Sequence, residues 1–333
     1  MSHIHHIAQN KKNLDIRWNI IQFIREWFWK NNFIEVETPF ILRLPGQEPY
    51  LSPMRVTMHN EVGLSYEGYL HTSPEYSMKK MLASGYEQIF SLGKVFRDYE
   101  SFGGNHNPEF TMLEWYRANK DFYALMDDIE NIGNDVITRL HDKKIMVKQI
   151  HFTRVHMRDL WQEYAGINLD DYLTHGSMLE LCRMRGYTPN DDESYEDLFY
   201  RIFLNEIEPK LSTLGGIIIH HYPLPMAALS RASTTNLGYA ERVEVYIDGL
   251  EIANGFSELT DPIEQKSRLE AERNYRQKIG KDTFSIDEEF VEAVGNMPPS
   301  AGIALGIDRL VQVLVGCKNI NDVVPLPAHS LFE

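Results

Sequence analysis

Three short segments place chemically capable residues at spacings that a packed core alone does not require. Read as a strand, Pro108 to Tyr116 puts Phe110, Met112, Glu114 and Tyr116 on one face and Thr111, Leu113 and Trp115 on the other. A carboxylate and a phenol beside a phenyl ring can bind an amine and a flat ring, although a surface strand has the same alternation. Around Asp248-Gly249, a two-residue hairpin turn, pairing Ile247 with Leu250, Tyr246 with Glu251 and Glu244 with Ala253 sets Glu244 and Glu251 diagonally on one face. Like charges so placed repel unless a cation lies between them, and Mg2+ takes one or two carboxylates plus substrate phosphates. Splayed into solvent, the same pair would need no cation. The third segment is Gly302-x-Ala304-x-Gly306-x-Asp308-Arg309. Its small residues let a ligand approach the backbone, and an arginine at a helix start can aim its fork at phosphate. Buried glycines that serve packing alone give a similar pattern. Neither GxxxxGK[ST] nor GxGxxG occurs, which excludes the usual nucleotide-binding loops as far as motifs allow.

These segments need a scaffold, and the pattern supplies one. An amphipathic helix spans Leu14 to Ile34, with Leu14, Trp18, Ile21 and Phe28 on one stripe and Ile20, Ile24 and Trp27 beside it. Phe33 to Pro39 alternates like a strand stopped by proline, residues 43–70 are loop-rich, and Ser73-Pro74-Glu75 precedes a helix over Tyr76 to Ser84. Strands over Gln88 to Asp98 and Pro108 to Tyr116 flank a glycine-containing loop and make a long hairpin. A helix follows from Asp121 to Leu140. Residues 141–212 read as mixed helical segments, with an acidic run (Asp191, Asp192, Glu193, Glu196, Asp197) that reads as a solvated face. Strands over Gly215 to His220, Arg242 to Tyr246, Leu250 to Ala253 and Gly302 to Gly306 alternate with helices over about 262–278 and Asp308 to Val315. Strands joined mostly by hairpins, with helices gathered around them, predict an α+β fold built on an antiparallel β-sheet. Residues 1–12, which include His3, His5 and His6, are expected to be an N-terminal tail, and 13–333 a single domain.

Composition narrows the partners. The 333 residues carry 33 Lys and Arg against 48 Asp and Glu, a net charge of 33 − 48 = −15, with 43% apolar residues. That suffices for a substantial core and counts against a broad nucleic-acid footprint, for which no dense basic run exists. Cys182 and Cys317 lie far apart without CxxC or histidine pairing, so neither a disulfide framework nor a zinc site is indicated, which matches a reducing cytoplasm. Arg17, Arg25, Glu26 and Lys30 interrupt the most apolar early stretch, so no membrane span is expected.

Taken together, the segments resemble a known family. Phe96-Arg97 followed by His106-Asn107-Pro108-Glu109-Phe110-Thr111-Met112-Leu113-Glu114-Trp115-Tyr116 is similar to motif 2 of class II aminoacyl-tRNA synthetases of the lysyl type. Glu251-x-Ala253-Asn254-Gly255-Phe256-Ser257-Glu258 and Gly306-Ile307-Asp308-Arg309 resemble the family's metal-and-lysine segment and motif 3, and Glu35-Val36-Glu37-Thr38-Pro39 its dimer-interface motif 1. Motif 1 begins only about thirty residues in, which leaves no room for the anticodon-binding OB domain of a lysyl-tRNA synthetase. Ser73-Pro74-Glu75, Trp115-Tyr116 and Ala304 further match the truncated paralogues that modify a protein, the elongation factor P–(R)-β-lysine ligases.

The resemblance implies a class II synthetase catalytic domain that uses ATP and Mg2+ to activate (R)-β-lysine or lysine as an adenylate, then transfers it to a lysine ε-amine of elongation factor P. It implies a cytoplasmic homodimer joined through motif 1, without anticodon recognition. By the same resemblance Arg97 holds the α-phosphate and Arg309 the γ-phosphate, Phe110 stacks on adenine, and Glu100, His106, Asn107, Glu251, Ile252 and Gly306 complete the ATP site. Glu244 and Glu251 carry Mg2+. Ser73, Glu75, Glu114, Tyr116, Asn254, Glu258 and Ala304 surround the amino acid, with the Ala304 methyl distinguishing this pocket from the glycine of a lysyl-tRNA synthetase. One departure stands out: Arg97-Asp98-Tyr99-Glu100 puts tyrosine where the family has glutamate, and Glu100 is the residue expected to take that part, through a bulge. The alternatives are a free-standing lysyl-tRNA synthetase-like enzyme with a tRNA or small-molecule acceptor, and a catalytically silent regulatory paralogue.

Overall fold

A computed structural model describes residues 3–332. Along the chain run the strands β1 (Ile34–Glu35), β2 (Ile41–Leu42), β3 (Arg55–His59), β4 (Ser65–Leu70), β5 (Gln88–Phe96), β6 (Glu109–Ala118), β7 (Phe152–His156), β8 (Gly216–Pro223), β9 (Tyr239–Ile247), β10 (Leu250–Ser257) and β11 (Ser300–Gly306). Eight of them form one sheet in the order β1-β5-β6-β11-β10-β9-β8-β7, and β2-β4-β3 make a small second sheet. The pairs from β5 through β8 are antiparallel, as the hairpin-rich sequence predicts. Both edge pairs, β1 with β5 and β7 with β8, are parallel, which requires a long crossover rather than a turn. Short helices between Met157 and Leu211 supply the second crossover.

Helices cover both faces of the sheet. α1 (His3–Lys30) packs against α3 (Phe122–Asp142), and α2 spans Glu75–Ala83. Asp121 caps α3 by accepting from the Tyr123 amide. One core forms where α1, α3 and the later helix Ile307–Val315 press Ile20, Phe23, Phe28, Leu125, Ile129 and Val311 against Leu113, Trp115, Val243, Val245 and Ile303. A second core gathers Trp161, Phe199, Phe203 and Tyr222 where the helices of residues 157–211 cover β8 and β9. The helix Pro262–Lys278 begins at its proline behind the Asp261 cap, and Glu288–Asn296 packs next to α2.

Several expectations change. Residues 3–12 are not a tail: they are the first turns of α1, and His6 is buried with its Nε2 3.1 Å from the Val324 carbonyl oxygen. A contact 318 positions away holds them, so local composition could not reveal it. The apolar stripe of α1 also turns. Trp18 is exposed and Arg17 is buried, because Arg17 donates to Asp308 and, at 2.8 Å, to Thr111 Oγ1, so that face points into the protein. Residues 43–70 are not merely loop, since β3 and β4 pair there as a hairpin with mostly exposed side chains. The motif 1 strand is only two residues long.

Candidate active site

A cavity of about 370 Å3 opens on the sheet face opposite α1 and α3. β6 contributes Phe110, Met112, Glu114 and Tyr116 to its wall, the alternation its sequence predicts, while Leu113 and Trp115 face the core.

β10 reaches the same wall by a different route. Leu250 pairs with Ile247 and Glu251 with Tyr246, but an irregularity between Glu251 and Ala253 then shifts the register, so Glu244 lies opposite Asn254 rather than Ala253. The extra residue of this bulge reverses the facing of everything after it. Glu251, Asn254 and Phe256 therefore share the cavity face with Arg242, while Ala253 joins Ile252 in the core. Without the bulge Asn254 would point away from the site.

The two carboxylates proposed for metal are placed differently from each other. Glu251 lines the cavity and its side chain makes no hydrogen bond; burial, then the nearby Glu244, push its pKa up to about 7. Glu244 is 3% exposed and absent from the wall. Its Oε1 accepts from Arg242 Nη2 at 2.7 Å, and its Oε2 accepts from the Tyr222 and Tyr246 hydroxyls at 2.6 and 2.7 Å. Glu251 thus fits a divalent cation as a free carboxylate facing a phosphate site. Glu244 does not sit at the cavity as expected: three donors already saturate it, and it supports the site from behind. No cluster of three or more potential metal ligands exists among the described residues, so a Mg2+ bound at Glu251 would need phosphate and water to complete its shell.

At the end expected to hold the nucleotide, Arg97, Glu100, His106, Asn107, Phe110 and Arg309 all reach the cavity. The Arg97 guanidinium lies over the Phe110 ring, 5.0 Å from its centre, and its buried Nε has no partner. A buried, unpaired guanidinium N–H is poised for an oxyanion. Arg309 bridges three pieces of backbone and loop: Nη1 donates to the Glu251 carbonyl at 2.9 Å, Nε to the Asn105 carbonyl at 3.3 Å, and Nη2 to His106 Nε2 at 2.7 Å. Burial and the Arg309 charge both lower the pKa of His106, consistent with a neutral acceptor ring. Tyr99 adopts φ 60° and is 91% exposed, while Glu100 lines the cavity. Asn107 is committed elsewhere: its amide donates to Asn321 and accepts from the Ala328 N–H, fastening the loop to the C-terminal segment. The Ile252 side chain lies in the core, and Gly306 precedes the helix that carries Arg309, so both present main chain to the site.

The other end is acidic. Glu114 is 2% exposed and accepts from Ser73 Oγ at 2.8 Å and from the Tyr116 hydroxyl at 2.6 Å. Burial and the charge of Glu75 raise its pKa to about 8. Glu258 is 1% exposed, one layer behind the wall rather than on it, and burial lifts its pKa to about 8 as well. Between them stands a residue that the motif reading missed. Lys79 lies 2.5 Å from Glu75 Oε1 and 2.7 Å from Glu258 Oε2, the latter approach being off the hydrogen-bonding direction. The spacing from Glu75 to Lys79, one helical turn, was the available signal. Asn254 is oriented by Arg242 Nε, 3.2 Å from its Oδ1, and Ala304 pairs across the sheet with both Asn254 and Glu114. Arg242 was missed too, although it lies two residues before Glu244 on the same strand face. The acidic run is not only a solvated face, because Glu196 reaches the cavity and Asp197 caps a helix.

Comparison with known proteins is decisive for the class. Residues 4–330 match the family of class II tRNA synthetases of the D, K and N type, and the chain belongs to that family. Within it, the chain is 36% identical over 316 residues to the elongation factor P–(R)-β-lysine ligase of Haemophilus influenzae strain PittGG, covering 94% of each. It is 36% identical over 326 residues to the enzyme of that name from Hamiltonella defensa, covering 95% of each. A lysine–tRNA ligase of Campylobacter jejuni subsp. doylei is 32% identical over 332 residues, which are 96% of this chain and 64% of that protein.

Proposed function

We propose that this protein is an ATP-dependent ligase that activates (R)-β-lysine or lysine as an adenylate and transfers it to a lysine side chain of elongation factor P. The observation that carries the reading is the charge of the pocket. Glu75, Glu114 and Glu258 gather around one ammonium, that of Lys79, and Glu48 and Glu272 line the same cavity, an excess of acidic groups suited to the two amino groups of a lysine-type substrate. A substrate with one amine would strand a buried carboxylate, a costly mismatch.

In the first step a carboxylate oxygen of the amino acid attacks the α-phosphorus, and the bond to pyrophosphate breaks. Arg97 faces the developing charge at the α-phosphate, Arg309 the γ-phosphate, and Phe110 the adenine. Glu251, supported from behind by Glu244, would hold a Mg2+ ion, which would supply charge neutralisation for the phosphates. In the second step the acceptor ε-amine, having lost its proton, attacks the acyl carbon; the acyl–phosphate bond breaks, AMP leaves and an amide forms. The exposed Ile34, Phe40 and Ile41 around motif 1 support a homodimer, and a cytoplasmic location accords with this chemistry; among the described residues no helix is long and apolar enough to cross a membrane.

The test is mass spectrometry of elongation factor P after incubation with this protein, ATP and each lysine isomer, with transfer to tRNA measured in parallel. A gain of one lysyl unit on the protein is expected. No gain with either isomer, or transfer to tRNA alone, overturns the reading.

A further inference from the structure

We infer that Lys79 is a positioning residue that sets the charge of the amino-acid pocket, holding Glu75 and Glu258 in place from behind the cavity wall. The inference deepens the functional reading above and rests on it. Lys79 is 1% exposed and does not itself reach the cavity, whereas Glu75 and Glu114 do. It therefore does not compete with a ligand amine from the front. Burial opposes a charged lysine, yet Glu258 and Glu75 hold its ammonium above the ordinary lysine range.

The groups that face this position are Glu75 on α2, Glu114 and Tyr116 on β6, and Glu258 after β10. Three carboxylates gathered there without a cation could not all ionise near neutrality. Even with Lys79 present, Glu114 and Glu258 titrate near 8. Their ionised fraction grows as pH rises through that range, so affinity for a dicationic amino acid strengthens with pH in the native enzyme and weakens below it. Lys79 keeps this acid limb low enough for the pocket to bind at neutral pH. It also shifts the balance: without Lys79, Glu75 and Glu258 lose the one ammonium that lies against both.

The experiment compares wild type, K79M and K79R in amino-acid-dependent pyrophosphate exchange between about pH 6 and pH 9. K79M should move the acid limb up by about one to three pH units. The amino-acid KM at pH 7 then rises about 10- to 1000-fold, and the defect shrinks toward pH 9 while the ATP KM stays within about twofold. K79R should restore the limb. A role in packing alone would lower Tm and change both KM values at every pH without moving the limb, and that result overturns the inference. K79Q replaces K79M if the latter does not fold. Infrared difference titration of the carboxyl band needs no substrate: an unchanged protonation midpoint in K79M or K79Q overturns the inference too. If wild type activates no diamino acid, the functional reading fails, and the infrared titration still decides for or against Lys79.

Discussion

Gly302 is the position where a single methyl should do most harm. It lies in β11 opposite Tyr116 of β6 and Phe256 of β10. A Cβ there would stand 2.1 and 2.3 Å from the Tyr116 ring carbons Cε1 and Cδ1, and 2.6 Å from Glu258 Oε1. All three are inside van der Waals contact, so Gly302→Ala must move the ring or the strand. Tyr116 is 2% exposed, and moving it breaks its 2.6 Å hydrogen bond to Glu114. Overpacking of this kind costs about 1–3 kcal/mol, and the lost bond to a charged acceptor about 1.5–3 kcal/mol. The sum, about 2.5–6 kcal/mol, divides between folding and ligand binding. An even division gives a 10- to 100-fold rise in amino-acid KM, at about 1.4 kcal/mol per tenfold. The same half lowers Tm by several degrees, at about 2–4 °C per kcal/mol. Pyrophosphate exchange and a thermal melt measure the two, and the ATP KM should stay nearly constant because the displaced groups belong to the amino-acid end. The double variant G302A/Y116L, which removes the ring, should recover part of the Tm but not the KM. An amino-acid KM unchanged in G302A, with Tm within about 1 °C of wild type, would refute the reasoning.

Two further predictions follow from the same walls. Ala304→Gly removes the methyl that faces Asn254 and Glu114, so the ratio of kcat/KM for (R)-β-lysine to that for lysine should fall toward lysine by about 10-fold or more; an unchanged ratio in pyrophosphate exchange removes Ala304 as the discriminating residue. Glu251→Gln should raise the Mg2+ concentration needed for half-maximal exchange by about 10-fold or more while calorimetric binding of the amino acid without ATP stays as in wild type, because Glu251 lies at the phosphate end; an unaltered Mg2+ requirement would rule it out as a ligand.

Legibility in the sequence followed the range of the interactions involved. The helix over Pro262–Lys278 was readable because its cap and its proline are local. The β6 face was readable because a strand alternates by stereochemistry alone. What escaped was set at a distance. His6 is fixed by a carbonyl near the other end of the chain, and Arg17 is buried because Asp308 and Thr111 receive it. The helix Glu288–Asn296 carries a helical stripe of Phe290, Val291, Ala293 and Val294, but it is so short that the stripe is hard to tell from a strand-length apolar run. The hairpin β3–β4 leaves most of its side chains in water, so it lacks the half-buried alternation by which strands are recognised.

The bulge in β10 explains why the residue inventory survived while part of the geometry did not. Period-two reasoning assigns Glu251 and Asn254 to opposite faces, yet the site needs both: a carboxylate for the phosphate end and an amide for the amino-acid end. One extra residue between Glu251 and Ala253 puts them on the same wall from a single strand. Arg242 then serves both halves at once, with Nε on Asn254 and Nη2 on Glu244, so the amide and the support behind Glu251 are fixed by one guanidinium. Glu244 gives up its place at the cavity in return for three hydrogen bonds, and in that position its negative charge still raises Glu251 toward neutrality. On the proposed reading, a carboxylate so poised would bind Mg2+ better than a proton only when the phosphates arrive with it, which would tie binding of the metal to binding of the nucleotide.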